Sequence, residues 1–223
     1  SDLFKQAEIR AKYSIMTFIN ADIILPNNFL AAVKIISQKY NRFLMLGHRW
    51  DMNVNEIINF NEKLETINFW NSVKEKSKKH ACTGIDYFIY KKGQYNNLPD
   101  FTVGRWGYDN WMIWKSRRNR IPVVDLSVEV IAVHQNHSYD YHNIKSKEHS
   151  QSCPEAISNQ KLYSGKVLNI LDATYQLYDS HVIKKNSPDD LNRYWHRLPS
   201  IFPELSIPIK LVRYLKKLRS NLR

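Results

Sequence analysis

The 223-residue sequence predicts an α/β fold with a mixed, mostly parallel sheet flanked by helices. Three observations predict it. Short apolar, β-rich runs at 14–19, 43–47, 84–90, 122–125 and 128–134 read as buried strands. Helical patterns fall between or beside them at 3–13, 26–40 and 108–119. No internal repeat and no low-complexity segment interrupts the alternation, and the chain is long enough for one core with appendages.

Taken in order, residues 3–13 read as a short helix and 14–19 as a strand that ends at Asn20-Ala21-Asp22. Pro26 opens a helix that Asn27 or Asn28 caps, with Phe29, Leu30, Val33 and Ile35 or Ile36 at helical spacing as far as Tyr40. Residues 43–47 form a second strand. The polar stretch 53–79, rich in Asn, Glu and Lys, is expected to make a surface excursion and a helix. A strand over 84–90 then turns at Lys91-Lys92-Gly93. An aromatic helix over 108–119 leads into the strands 122–125 and 128–134. The polar stretch 138–152 reads as a loop, and 166–179 and 189–196 read as late helices packed on the outside. The expected organisation is a core over 1–142, a helical and loop extension over 143–205, and a basic amphipathic helix over 206–223.

Composition narrows the class. Hydrophobic residues make up 43% and there are only six glycines, which excludes disordered and fibrous chains. The formal charge of +12 invites a nucleic-acid partner, but half of that excess lies in the last fourteen residues, which hold six bases (Lys210, Arg213, Lys216, Lys217, Arg219, Arg223) and no acid. No nucleic-acid motif accompanies it, so no nucleic acid is expected. Cys82 and Cys153 are too few for a disulfide scaffold and fit thiols in a reducing, cytoplasmic compartment. No signal-peptide pattern opens the chain and no apolar run reaches the roughly 20 residues of a membrane span. In residues 209–223, Leu211, Leu215, Leu218 and Leu222 form one stripe with Lys and Arg on the other faces. Such a helix either docks on the protein's own core or lies on an anionic membrane surface.

Three constellations carry chemistry. The first is Asn20-Ala21-Asp22, delivered by an apolar strand and followed by Pro26 and a helix. Ligands of open α/β sheets bind beyond the carboxyl ends of strands, and a carboxylate there can hold Mg²⁺ or Mn²⁺ against diphosphate oxygens. The plainer alternative is that Asp22 caps its own turn. The second is Gly104-Arg105-Trp106-Gly107-Tyr108-Asp109-Asn110-Trp111, in which Trp106 and Trp111 offer flat faces to a sugar ring. Asp109 is the candidate general base, or else an ordinary carboxylate at a helix N-terminus. The third is His134-Gln135-Asn136-His137 with His142 beyond it, at a strand end, where His134 and then His137 are candidate ligands or structural histidines.

Together these segments resemble the GT-A type of nucleotide-sugar glycosyltransferase. Phe18-Ile19-Asn20-Ala21-Asp22 is similar to the DxD-bearing strand, Gly104 to Trp111 resembles the acceptor segment, and His134 to His137 resembles the late histidine-bearing strand. The resemblance covers residues 14–142 and keeps the family's order. It implies Asp22 and His134 as ligands of Mn²⁺ or Mg²⁺, with Asn20, Ala21 and Asp22 at the donor. Asn20 stands where many members place the first Asp, and an amide lacks that charge, so it would contact ribose or a metal-bound water. Asp109 would activate the acceptor in an inverting enzyme and only position it in a retaining one. Gly84, Asp86, Tyr87, Arg105, Trp106 and Asn110 are expected around the acceptor, with His48, Arg49, Trp50 and Asp51 bordering the cleft. The family's first β-α-β segment, which grips the nucleoside, should precede the helix at Leu3, so the chain reads as an N-terminally truncated member.

The expected function is transfer of a sugar from a nucleotide-diphosphate donor to a hydroxyl of a glycan, lipid-linked or small-molecule acceptor. An inactive sugar- or nucleotide-binding module is the competing reading, with nucleic-acid binding, which a steep salt dependence would reveal, behind it.

Overall fold

The structure, a computed structural model, describes residues 2–137, 153–163 and 167–212. The elements are α1 (Asp2–Arg10), β1 (Ile15–Ile19), β2 (Ile23–Ile24), α2 (Asn28–Lys39), β3 (Leu44–Leu46), β4 (Arg49–Met52), α3 (Lys63–Lys76), β5 (Ser77–Lys79) and β6 (Tyr87–Lys91). There follow α4 (Tyr108–Arg118), β7 (Val123–Asp125), β8 (Ala132–Gln135), α5 (Pro154–Tyr163), β9 (Tyr175–Tyr178), β10 (His181–Lys184) and α6 (Pro188–Ile201). The fold is α/β. A six-stranded mixed sheet runs in the order β1-β6-β3-β7-β9-β10, and a four-stranded sheet in the order β2-β8-β4-β5.

In the large sheet β1, β3, β7 and β9 share one direction while β6 and β10 oppose it. Its central strands read as uniform apolar runs because helices cover both faces. The period of two sorts the side chains cleanly. Leu44, Leu46, Phe88, Tyr90 and Val123 pack with α4 residues Trp111 and Met112 on one face. Met45, Tyr87, Ile89 and Val124 pack with Ile36 of α2 on the other. Met52, Phe69, Val73 and Val133 close a smaller core where α3 covers the second sheet.

Local chemistry sets several boundaries. Ser187 and Asp190 form a reciprocal capping box at the start of α6, with Pro at the first turn. Asn27 precedes α2 as expected but makes no side-chain cap. Gly47, just after β3, leaves room for the hydroxyl of Tyr87, into which any added Cβ would run.

Two expectations are corrected. The late helix expected over 166–179 is absent from its described part, 167–179: Ile170–Asp172 is one 3₁₀ turn and β9 pairs in parallel with β7. Within the stretch 143–205, expected as a helical and loop extension, residues 167–205 add two strands to the main sheet and Leu168, Ile170 and Ile201 to its core. Residues 138–152 and the basic tail over 213–223 lie outside the described residues, so the leucine stripe of 209–223 is not on view beyond Leu211. Among the described residues no helix is long and apolar enough to cross a membrane. No disulfide joins Cys82 and Cys153.

Candidate functional site

The carboxyl ends of β1 and β3 and the start of the reversed β6 meet at one end of the large sheet, which brings Asn20, His48, Arg49 and Asp86 together. The Asn20 amide N–H donates to the Asp86 carbonyl at 2.9 Å, and its side-chain Nδ2 donates to Asp86 Oδ1 at 2.7 Å. Arg49 NH1 holds Asp86 Oδ2 at 2.9 Å, and its Nε stands 3.0 Å from Asp51 Oδ1. One cation thus bridges two carboxylates.

The small sheet continues the site. Its register pairs His134 with Ile23 on one side and with Asp51 on the other. His134 Nδ1 accordingly stands 3.1 Å from Asp51 Oδ1, and Nε2 stands 3.3 Å from Asp22 Oδ2. His137, just past the strand, places Nε2 at 3.0 Å from the same Asp22 oxygen. Asp22, His134 and His137 offer three ligand atoms within 4.8 Å of one another. Neither His134 Nδ1 nor Asp22 Oδ1 has an aligned hydrogen bond, although both atoms are buried.

That donor set fits a divalent metal. Two imidazoles and a carboxylate suit Mn²⁺ or another transition ion better than Mg²⁺, which prefers an all-oxygen shell. Burial, reinforced by the charge of Arg49, holds His134 below its ordinary range, so the ring is neutral at pH 7 as a ligand must be. The charge of Asp51, 3.1 Å from Nδ1, favours the proton there and leaves the Nε2 lone pair toward Asp22, the tautomer a metal ligand needs.

Asp51 is itself held on two sides. His80 Nδ1 donates to Asp51 Oδ2 at 2.5 Å. Burial would raise the Asp51 carboxyl, but His80 and Arg49 outweigh it and hold it below the usual range. His80, brought in by β5 pairing with β4, also lends its carbonyl to His48 Nδ1 at 3.1 Å. Burial, reinforced by the charge of Lys79, lowers His48. Replacing Asp51 by Asn is expected to weaken Mn²⁺ binding by about 10–100-fold, read by the loss of the free-ion paramagnetic signal, since the partner of His134 would lose its charge.

Asp109 lies at the start of α4 and is 9% exposed. Burial raises its carboxyl to about 6, helped by the nearby charge of Asp86 and opposed by backbone N–H groups, among them Gly107 N–H donating at 3.3 Å. Asp86 acts electrostatically on both His134 and Asp109, so the candidate metal ligands and the candidate base feel one common charge. Arg105 and Trp106 are half-buried at the mouth of α4, and Trp106 meets Tyr163 edge-on at 5.6 Å. Ala21 is exposed in the turn before Asp22, and Gly84 is buried against the ring of His80.

Three expected contact residues are instead structural. Tyr87 is fully buried because it follows Asp86 on a strand, and alternation points it into the opposite core. Asn110 is fully buried and donates to the Leu168 carbonyl at 2.6 Å, tying α4 to the late segment. Trp111 packs in the core against Tyr95 and Phe101 and offers no face to a sugar. His80 escaped the sequence reading, since nothing in Lys78-Lys79-His80 announces that β5 returns beside Asp51.

No family model matches the chain, and no curated protein or solved structure matches it either.

Proposed function

We propose that this protein is a metal-dependent glycosyltransferase of the GT-A type, transferring a sugar from a nucleoside-diphosphate donor to an acceptor hydroxyl. The observation that supports it is the gathering of Asp22, His134 and His137 at the end of β1, with the buried Asp109 in electrostatic contact with the same network. Asp22, His134 and His137 would hold the ion, and Mn²⁺ suits them better than Mg²⁺. When bound, such an ion offsets the charge of a departing diphosphate.

The chain's own groups divide the remaining work. Asp109, with a carboxyl near 6, is mostly ionised at pH 7 yet a stronger base than an ordinary aspartate. It would take the proton of the acceptor hydroxyl as that oxygen bonds to the anomeric carbon and the bond to diphosphate breaks. Asn20, which replaces an acid of the DxD pattern, serves Asp86 rather than the ion. Trp106 and Arg105 flank the acceptor side.

The test is Mn²⁺ binding followed by paramagnetic resonance, and calorimetry with uridine and guanosine diphosphates with and without Mn²⁺. The Asp22→Ala variant is expected to lose Mn²⁺ affinity by about 100-fold, at least the upper range for changes one layer further out. Its nucleotide binding should no longer respond to the ion. Equal Mn²⁺ affinity in the folded variant would sink the assignment.

A further inference from the structure

At the opposite end of the large sheet a cavity of about 680 Å³ opens between the C-terminus of α4, the segments leading into β7 and β9, and α6. Its lining includes none of Asp22, Asp86, Asp109, His134 and His137, and its volume is that of a small-molecule site. The walls are of two kinds. Leu171, Leu191 and Leu205, each about half exposed, present apolar surface. Against them stand five cations, Arg117, Arg120, Lys184, Lys185 and Arg193, and three carboxylates.

The carboxylates are already taken. Asp172 binds Arg193 through both oxygens, at 2.8 and 2.7 Å, and also faces Arg197 at 3.5 Å. Asp190 faces Lys185 at 3.5 Å, and Glu204 holds Arg118 at 2.6 Å. Arg117, Arg120 and Lys184 form no ion pair among the described residues. Arg117 is the most telling of these, because it is only 7% exposed and meets the Asp172 carbonyl, the side chain of Tyr194 and, electrostatically, an Asp172 carboxylate that Arg193 and Arg197 already share. Buried arginines are rare without a full anionic partner.

Arg120 adds an independent sign. Its φ is +55°, and Ile121 N–H to Ser116 O (2.8 Å) and Arg120 N–H to Arg117 O (3.0 Å) close the helix in a Schellman motif. Glycine is the residue that relaxes this position, yet a long cation occupies it and lines the cavity.

We propose that this cavity binds an amphipathic anion: a single phosphate or carboxylate head met by Arg117, Arg120 and Lys184, carrying an apolar chain along the leucines. The site is independent of the transferase reading. Octyl phosphate, kept monomeric, is the probe, titrated into the full chain by calorimetry beside octanol, inorganic phosphate and phosphatidic-acid vesicles. Octyl phosphate is expected to bind at least tenfold more tightly than octanol or inorganic phosphate. Arg120→Gly with Lys184→Gln should weaken it by tenfold or more while the melting temperature stays level or rises, since glycine fits the backbone there. The proposal fails if octyl phosphate does not bind, if octanol or phosphate binds as well, if the double variant binds unchanged, or if only vesicles bind, which would assign the charge to a membrane surface.

Discussion

Asp109→Asn is expected to lower sugar transfer by about 10²–10⁴-fold, the range for removing a general base, and at the same time to make the protein more stable at neutral pH. The two effects share one cause. Burial raises the Asp109 carboxyl from 3.8 to about 6, so the folded state holds its proton more tightly than the unfolded state does. A raised carboxyl contributes its stability in full below the unfolded value and loses it as pH climbs through about 6. From 3.8 to about 6 the loss amounts to about 3 kcal/mol. Asparagine carries no such charge, and its oxygen can still accept the Gly107 N–H that now goes to the carboxylate. Denaturation midpoints of the two proteins should therefore coincide near pH 3.5 and separate by pH 8, with the variant higher. Donor and Mn²⁺ affinities should not change. A variant that loses activity and stability together would show Asp109 to be a plain structural cap.

Much of the site was legible because its parts sit at strand ends. An apolar run that breaks at Asn20-Ala21-Asp22, and another that breaks at His134, announces side chains delivered to the edge of a sheet, and those two runs meet through β2 and β8. What the sequence hid was which strands pair across long separations. Asp51 faces His134 only because β4 lies parallel to β8, and His80 reaches Asp51 only because β5 turns back on β4. Tyr87 was misplaced for a related reason, since strand alternation says that neighbours part but not which of them faces the cleft.

The late strands were missed through an unusual turn. Val167, Leu168, Ile170 and Leu171 mimic helical spacing, and the two-residue connection between β9 and β10 is Asp179-Ser180, both with positive φ (47° and 57°). That geometry is ordinarily signalled by Asn-Gly or Asp-Gly, and Ser180 stands where the glycine would give the signal. The β-branched and aromatic run Thr174-Tyr175 was the surviving clue.

Arg49→Met is expected to cost about 3–5 kcal/mol of stability at pH 7, although it is volume-matched and removes a single charge. The Arg49 side chain is 13% exposed and is the cation shared by Asp51 and Asp86, whose own side chains are 23% and 11% exposed. Taking it away leaves Asp86 with only the Asn20 amide and Asp51 with only its histidine neighbours, two partly buried carboxylates stripped of their shared cation, which costs more than the pair ever contributed. The pH dependence identifies the source. The Asp51 carboxyl is depressed in the folded protein, so its stabilisation is present above the ordinary value of 3.8 and is lost as pH falls through its lowered one. The gap between wild type and variant should therefore narrow in acid, as measured by denaturant titration at pH 7 and pH 3. Combining Arg49→Met with Asp86→Asn should recover part of the loss, because neighbours in one network do not add. The consequence reaches the metal ligands. Arg49 is the link between the Asn20–Asp86 end of the cleft and the Asp51–His134 end, so the same variant should also weaken Mn²⁺ binding without touching a ligand. A variant that unfolds by less than about 1 kcal/mol and binds Mn²⁺ normally would show that the two ends are held independently.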